Sequence, residues 1–426
     1  MELTLDRIYQ AAHLLKDCIR KTDIIPSSLA SYNKNLHFKA ENLQITGSFK
    51  VRGAYFKIAM LSEEERAKGV IACSAGNHAQ GVALSAARMG INATIFIPNI
   101  APLSKIEATK QLGARVELVD GVYDDAHKAA LAFQEKSGGV FIHPFDDIDV
   151  IAGQGTIGLE VLEQLPDLEA IVVPVGGGGL ISGIAFAVKK LKPSCKVFGV
   201  QAAGAGSMHR SMLDKKRVNL DGLSTFADGI AVKTPGETTF KYCRDYVDGI
   251  VTVTDDEIAT AILTLMEQQK LVAEGAGAVA VAAVMFNDRY QPQGDGIDKI
   301  GAGDEVLTRA SLNKLPFDLR DKKTCAIVSG GNIDVNILSR VINRGLLTTG
   351  RLSELKIEML DKPGQLKEVS AIIADVGANV IKVMHNYGGE NTDIIGCYLH
   401  ISMETKNKSH FEEVKNAIQK AGYRIV

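Results

Sequence analysis

From about residue 35 to residue 330 the chain alternates short β-branched runs with longer stretches of helical period. The runs are "VIACSA", "NATIFIP", "RVELVD", "GVFIHP", "AIVVPVG", "KVFGVQ", "GIVTVT" and "TCAIVSGG". This rhythm predicts an α/β fold with a mainly parallel sheet covered by helices. In such sheets ligands bind at the carboxyl ends of the strands, so the polar, glycine-bearing ends of these runs are where chemistry is expected.

After "NRGLLTTGR" the pattern changes. "ELKIEML", "PGQLKEVSAIIADVG", "NVIKVMHNY", "DIIGCYLHISM", "HFEEVKNAIQKAG" and "YRIV" read as β-α-β-β-α-β, an α+β ferredoxin-like unit of its own. A chain of 426 residues exceeds one compact core, so two or three units are expected. The boundaries predicted are 1–345 for the larger part, with a smaller subdomain at about 50–145 inserted in it, and 346–426 for the tail. Residues 288 to 314, rich in Gly and Asp, fit neither a calcium loop nor a phosphate loop and are expected to form a mobile surface loop.

With 48 Lys and Arg against 50 Asp and Glu, no bulk charge favours nucleic acid or an anionic membrane. The amino-terminal "MELTLDRIYQAAHLLKDCIRKT" has acidic residues where a signal peptide is basic, so a cytoplasmic protein is expected. "LVAEGAGAVAVAAVMF" carries Glu274 and reads as a buried helix rather than a membrane span. Cys18, Cys73, Cys195, Cys243, Cys325 and Cys397 show no CxxC and no metal-ligand spacing, so reduced thiols and no metal site are expected.

Four places carry chemistry-bearing residues. In "AIVVPVGGGGLISGIAFAVKK" a strand runs through four glycines into a helix, where free N–H groups and the helix dipole favour an anion such as phosphate. The spacing is neither GxGxxG nor a GK[ST] loop, and the glycines also suit a tight turn with close packing. "CSAGNHAQG" forms a second strand-to-helix turn, fit for a carboxylate, with His78 in it; alone, His78 reads as a structural histidine more readily than as a base. "CAIVSGGNID" ends a third strand, and by itself Ser329 reads as a helix N-cap. In "SFKVRGA" Lys50, taken alone, reads as a solvated cation in a first helical turn.

Taken in order, "SFKVRGA", "SAGNHAQGVA", "HPFDD", "GGGGLISG", "ADGIAV", "EGAGAVAVAA" and "VSGGNID" resemble the pyridoxal-phosphate-dependent threonine/serine ammonia-lyases, of the tryptophan synthase β-like fold. The resemblance spans about residues 5 to 345. It implies a two-subdomain fold type II catalytic part and makes pyridoxal 5'-phosphate the cofactor, with Lys50 as its Schiff-base lysine and Phe49 against its ring. By the same resemblance Gly176, Gly177, Gly178, Gly179 and Leu180 hold the phosphate, Asn77 contacts the phenolic oxygen and Ser329 faces the ring nitrogen. Ser74, Ala75, Gly76 and His78 are expected around the substrate carboxylate, with Gly229 and Glu274 lining the pocket. The implied reaction removes the Cα proton and the β-hydroxyl of threonine or serine and releases a 2-keto acid and ammonia.

The tail resembles an ACT domain, with Asp361, Lys362, Pro363 and Gly364 at its first strand-to-helix turn as the expected site for an amino-acid effector. A plain oligomerisation module is the simpler reading of the same pattern, and a homodimer or homotetramer is expected either way. Serine racemase shares nearly every motif, but it places a serine immediately before the Gly-Asn-His where this chain has Ala75, and "QAAGAGS" lacks the acidic residues that hold its cation. A non-catalytic amino-acid sensor is the third reading, against which the intact Lys50 and glycine loop stand.

Overall fold

The computed structural model describes residues 2–287, 318–387 and 396–426. The loop expected at 288 to 314 and the end of "HNYGGEN" lie outside the described residues. Two compact units divide the chain, Met1–Val335 and Asn336–Val426.

In the first unit the strands are β1 (Ile24–Pro26), β2 (Leu36–Lys39), β3 (Val70–Cys73), β4 (Ala93–Pro98), β5 (Arg115–Val119), β6 (Val140–Phe141), β7 (Ala170–Pro174), β8 (Lys196–Ala202), β9 (Gly249–Val253) and β10 (Thr324–Ile327). They form a six-stranded sheet in the order β1-β2-β10-β7-β8-β9 and a four-stranded sheet in the order β5-β4-β3-β6. Every pairing is parallel except that of β1 with β2. All eight strand runs read from the sequence are strands here, and the two-sheet α/β architecture matches the expected fold class. The β1–β2 hairpin pair was not read: β1 is three residues long and contains proline, and β2 alternates a histidine and a lysine with its two apolar residues.

Helices cover the larger sheet. Ile157 and Val161 of the Ile148–Gln164 helix, and Ile181, Ile184 and Val188 of the Gly179–Leu191 helix, share one core with Ile171, Val173, Val197 and Ile327. The Gly275–Phe286 helix is apolar all round and buried from Gly275 to Met285, which is what a helix packed on every side requires. The Lys50–Ala59 helix sends Ala54 and Ile58 into the core of the smaller sheet, beside Val70, Ala72 and Ile95.

That helix is anchored by a buried set of charges. Arg52 grips Glu41 with Nε at 2.8 Å and Nη2 at 2.8 Å, and reaches Glu160 with Nη1 at 2.6 Å. Lys39 of β2 completes the set by donating to Glu160 at 2.6 Å. Two cations face two carboxylates, so the group is neutral as a whole, and Arg52, Lys39 and Glu41 are fully buried. Burial pushes the Glu41 carboxyl up, but the charge and hydrogen bonds of Arg52 outweigh it and hold Glu41 below its ordinary range.

The second unit contains β11 (Leu352–Leu360), the Gln365–Asp375 helix, β12 (Asn379–Tyr387), β13 (Gly396–Glu404), the Lys408–Lys420 helix and β14 (Arg424–Ile425). The sheet is antiparallel in the order β12-β13-β11-β14. Alternate residues of β11 and β13 point into one core, where Leu355, Ile357, Leu399 and Ile401 meet Val369 and Ile373 of the first helix and Val414 and Ile418 of the second. β12 is the exposed edge strand, with Ile381, Val383, Met384 and Tyr387 reaching solvent.

Candidate active site

The carboxyl ends of β3, β7 and β10 supply three of the sequence-predicted segments, and the start of the Lys50–Ala59 helix supplies the fourth. Ser48 forms an antiparallel bridge with Gly330, and the Phe49 N–H donates to the Ser329 carbonyl at 3.1 Å. The turn that carries Lys50 is thereby pinned to the end of β10.

Lys50 is not a solvated surface cation. Its Nζ donates to the Pro144 carbonyl at 2.9 Å and lies 5.4 Å from the centre of the Phe49 ring. Burial lowers the ammonium pKa to about 8, against the pull of the Glu274 charge, so neutral amine is accessible near physiological pH.

Asn77 opens the Asn77–Arg88 helix, and its Nδ2 donates to Glu274 Oε1 at 2.6 Å. Its Oδ1 accepts from Asn332 Nδ2 at 2.8 Å, and Asn332 also donates to the Thr46 carbonyl at 2.7 Å. Glu274 is buried at the start of the Gly275–Phe286 helix. Burial, then the nearby Asp228 charge, pushes its carboxyl up to about 7. Gly330 leaves room for that carboxylate: a Cβ there would fall 2.3 Å from Glu274 Oε1. A Cβ at Gly229 would stand 3.5 Å from the same oxygen.

Ser74, Ala75 and Gly76 form the turn between β3 and the Asn77–Arg88 helix, with the Ser74 hydroxyl accepting from the Gly76 N–H at 3.2 Å. His78 is buried and bonds the Ile142 carbonyl through Nε2 at 2.7 Å. Burial and then the Lys50 charge push its pKa down to about 3, so it is a neutral imidazole that ties the helix start to the end of β6. Ser329 departs only from the cap that its local pattern suggests. It caps no helix, because the next one begins at Val335; its buried hydroxyl instead donates to the Ala276 carbonyl at 3.3 Å.

After β7 the chain passes through Gly176 and Gly177 to Gly178, whose φ of +98° lies in the left-handed region, and the helix starts at Gly179. Thr239 Oγ1 donates to the Gly177 carbonyl at 2.6 Å. A Cβ at Gly177 would lie 2.5 Å from the Phe145 ring and one at Gly179 would lie 2.9 Å from the Phe145 backbone, so only glycine lets the turn lie flat here. Leu180 turns into the core below. The first-turn N–H groups of the Gly179–Leu191 helix have no acceptor within their own helix and carry the positive end of its dipole.

Sequence reasoning missed Pro144, Phe145, Asp146, Asn332 and Thr239. Asp146 accepts from the Glu237 and Thr239 N–H groups at 2.9 and 3.1 Å, fixing the Glu237–Tyr246 helix beside the glycine turn. The motifs "HPFDD" and "VSGGNID" are the available signal, but local pattern assigns no side chain of the first and only Ser329 of the second to the site. In the second unit Asp361, Lys362, Pro363 and Gly364 form the exposed turn between β11 and the Gln365–Asp375 helix, with Gly364 at φ +96°. No helix among the described residues is long and apolar enough to cross a membrane.

Comparison with known proteins places this arrangement. Residues 15–300 match the family model described as pyridoxal-phosphate dependent enzyme. The chain is 48% identical over 425 residues to the L-threonine ammonia-lyase of Thermotoga maritima, covering 99% of each. It is 43% identical to the L-threonine ammonia-lyase of Geobacter sulfurreducens, covering 98% of each. Among solved structures, the processed threonine deaminase isoform 2 of Solanum lycopersicum matches at a TM-score of 0.70 and 37% identity over 80% of this chain and 94% of that one. Maize serine racemase matches at 0.70 and 33%, over 82% of this chain and 99% of that one. With a family model spanning most of the first unit and near-half identity along the whole length of a relative, the chain belongs to the pyridoxal-phosphate dependent enzymes.

Proposed function

We propose that the chain is an L-threonine ammonia-lyase that also accepts L-serine, releasing 2-oxobutanoate or pyruvate together with ammonia. The observation that carries this reading is Lys50: a single amine with a depressed pKa, held against the Pro144 carbonyl where three strand ends converge.

The donor set fits pyridoxal 5'-phosphate. The glycine turn offers a dipole-backed row of N–H groups with no Cβ in the way, Lys50 offers the amine, and Phe49 offers an aromatic face beside it. In this reading Gly176 to Gly179 and the Leu180 N–H hold the phosphate, Asn77 meets the phenolic oxygen and Ser329 faces the ring nitrogen. The cofactor, when bound, supplies the electron sink for bond breaking at the substrate Cα.

The chain's own residues do the rest. The turn from Ser74 to Gly76 and the N-terminus of the Asn77–Arg88 helix present N–H groups to the substrate carboxylate, and the helix dipole favours its charge. The Lys50 amine takes the Cα proton as general base, which its lowered pKa permits. A serine hydroxyl at the ring nitrogen donates or accepts a hydrogen bond without imposing a full charge. With Ser329 there, the bound cofactor would supply a modest electron sink at the substrate Cα. Glu274, titrating near neutrality, stores a proton beside Asn77.

A racemase would need an acid on the face opposite Lys50, and Ala75 offers none. The tail is proposed as an ACT-type regulatory module that takes a small amino acid near Asp361, Lys362, Pro363 and Gly364, in a homodimer or homotetramer. Steady-state release of keto acid from L-threonine and L-serine tests the assignment. Turnover of neither, in cofactor-loaded protein, would leave the sensor reading in its place.

A further inference from the structure

We propose that the second unit holds a site for a zinc-class divalent ion, formed by Asp361, His385 and Cys397. Their ligating atoms lie within 4.8 Å of one another, and His385 Nε2 stands 3.7 Å from Asp361 Oδ1. Among the described residues this is the one group of three or more His, Cys, Asp or Glu side chains gathered so closely.

The sheet register explains the convergence. Cys397 on β13 pairs with Tyr387 on β12 and with Met359 on β11. His385 lies two residues before Tyr387 and Asp361 two residues after Met359. The two-residue period of a strand therefore sets all three on the face of Cys397, at one end of the sheet. A sequence search for close ligand spacing misses such a site, because the three residues come from three separate segments.

The chemistry of the set is specific. Thiolate and imidazole ligands select zinc, cobalt or nickel over magnesium and calcium, and a thiolate with a carboxylate neutralises a divalent charge. Bonds of about 2.0–2.3 Å place tetrahedral ligands about 3.3–3.8 Å apart. The ligand atoms already lie within 4.8 Å, and Asp361 and His385 are exposed, which leaves their side chains room to close on an ion. Cys397 is 1% exposed, and burial, then the Asp361 carboxylate, hold its thiol above the ordinary range. Three protein ligands leave a fourth position for water or another small ligand.

The test is a Co2+ titration of the full-length, cofactor-loaded protein. Cobalt bound by a thiolate in a four-coordinate site gives intense long-wavelength absorption, which aqueous octahedral cobalt lacks. One equivalent per chain, displaced by Zn2+, is expected. His385→Ala and Cys397→Ser should each weaken the affinity by at least about tenfold, the lower bound known for losing mere outer-shell partners. His385 is exposed, so its variant keeps the fold even if the buried Cys397 change does not. No such absorption with excess cobalt, or an affinity unchanged in His385→Ala, would overturn the site. Neither result bears on lyase turnover, which belongs to the first unit.

Discussion

Asn77 donates its side-chain amide to Glu274 across 2.6 Å, joining the first turn of the Asn77–Arg88 helix to the start of the Gly275–Phe286 helix. A buried carboxyl raised to about 7 sits on that link, so its proton occupancy changes within the working pH range. Because its folded pKa exceeds its unfolded value, Glu274 contributes stability that is complete below the unfolded value of 4.5 and is lost as pH rises through about 7. Glu274→Gln should therefore gain thermal stability relative to the native chain as pH is raised from about 5 to about 8. The inflection of kcat near neutrality should also disappear. Parallel melting curves and an unchanged pH profile would assign the titration elsewhere.

Lys50 Nζ faces the Pro144 carbonyl, and the nearby His78 imidazole is neutral and bonded to Ile142. Lys50→Ala is expected to remove the near-visible absorption of lysine-bound cofactor and to lower turnover by more than about a hundredfold. Lys50→Arg should fail equally, since a guanidinium stays charged at any accessible pH. Absorbance and keto-acid assays on the same preparations decide it, and substantial activity in either variant would remove Lys50 from the mechanism.

The three strand-end turns were legible because each follows an apolar, β-branched run that needs no tertiary information to be read as a strand. What was not legible came from long-range pairing. Lys39 looks like a surface lysine in "LHFKA", yet it is buried because Glu160, far along the chain, accepts its charge, and with it β2 went unread. Pro144 contributes a backbone carbonyl, which no residue pattern announces. Asn332 matters through three partners on other segments, Thr46, Asn77 and Gln80. Local pattern alone makes Ser329 a helix cap, whereas its hydroxyl bonds the Ala276 carbonyl on another segment, a pairing no local pattern shows.

The buried charge set under the Lys50–Ala59 helix should dominate stability over any surface pair. Glu41→Gln leaves Arg52 and Lys39 with an excess positive charge out of water and is expected to cost about 3–5 kcal/mol. Glu163→Gln, which breaks the exposed pair with Lys21, should cost about 0–1 kcal/mol. Since the folded pKa of Glu41 is depressed, its contribution is present above the unfolded value of 4.5 and lost as pH falls through the folded one. Urea unfolding of both variants measures the difference, and equal costs would show the buried set to be no more than a packed spacer.

Ala75 sits in the turn before the Asn77–Arg88 helix, partly packed against the core of the smaller sheet. In the proposed reaction Ala75→Ser would add a hydroxyl at the position where serine racemases carry a serine, able to return a proton to the substrate Cα, so D-serine should accumulate from L-serine in the variant. The native chain should form keto acid in large excess over D-serine. Chiral chromatography of the reaction mixtures reads both, and more D-serine than keto acid from the native chain would move the assignment to racemase.

The tail has a core of its own, so its removal tests regulation without cutting through the catalytic unit. An effector changes catalysis only by binding one conformation better than another, so a regulatory tail must restrain the enzyme in one of its states. Truncation after Gly350 should leave keto-acid release intact and abolish any response to added branched-chain amino acids, serine or threonine. β12 is nine residues long and open along one edge, with Ile381, Val383 and Met384 exposed, and such edges pair with another copy unless they are blocked. The truncated enzyme should therefore also form a smaller assembly, and Val383→Lys in the full-length chain should shift it the same way. Effector titrations and light scattering, run side by side on the three proteins, separate the two roles. A response that survives truncation would sink the regulatory proposal, whereas a full-length enzyme deaf to every amino acid but smaller when truncated would reduce the tail to an assembly module.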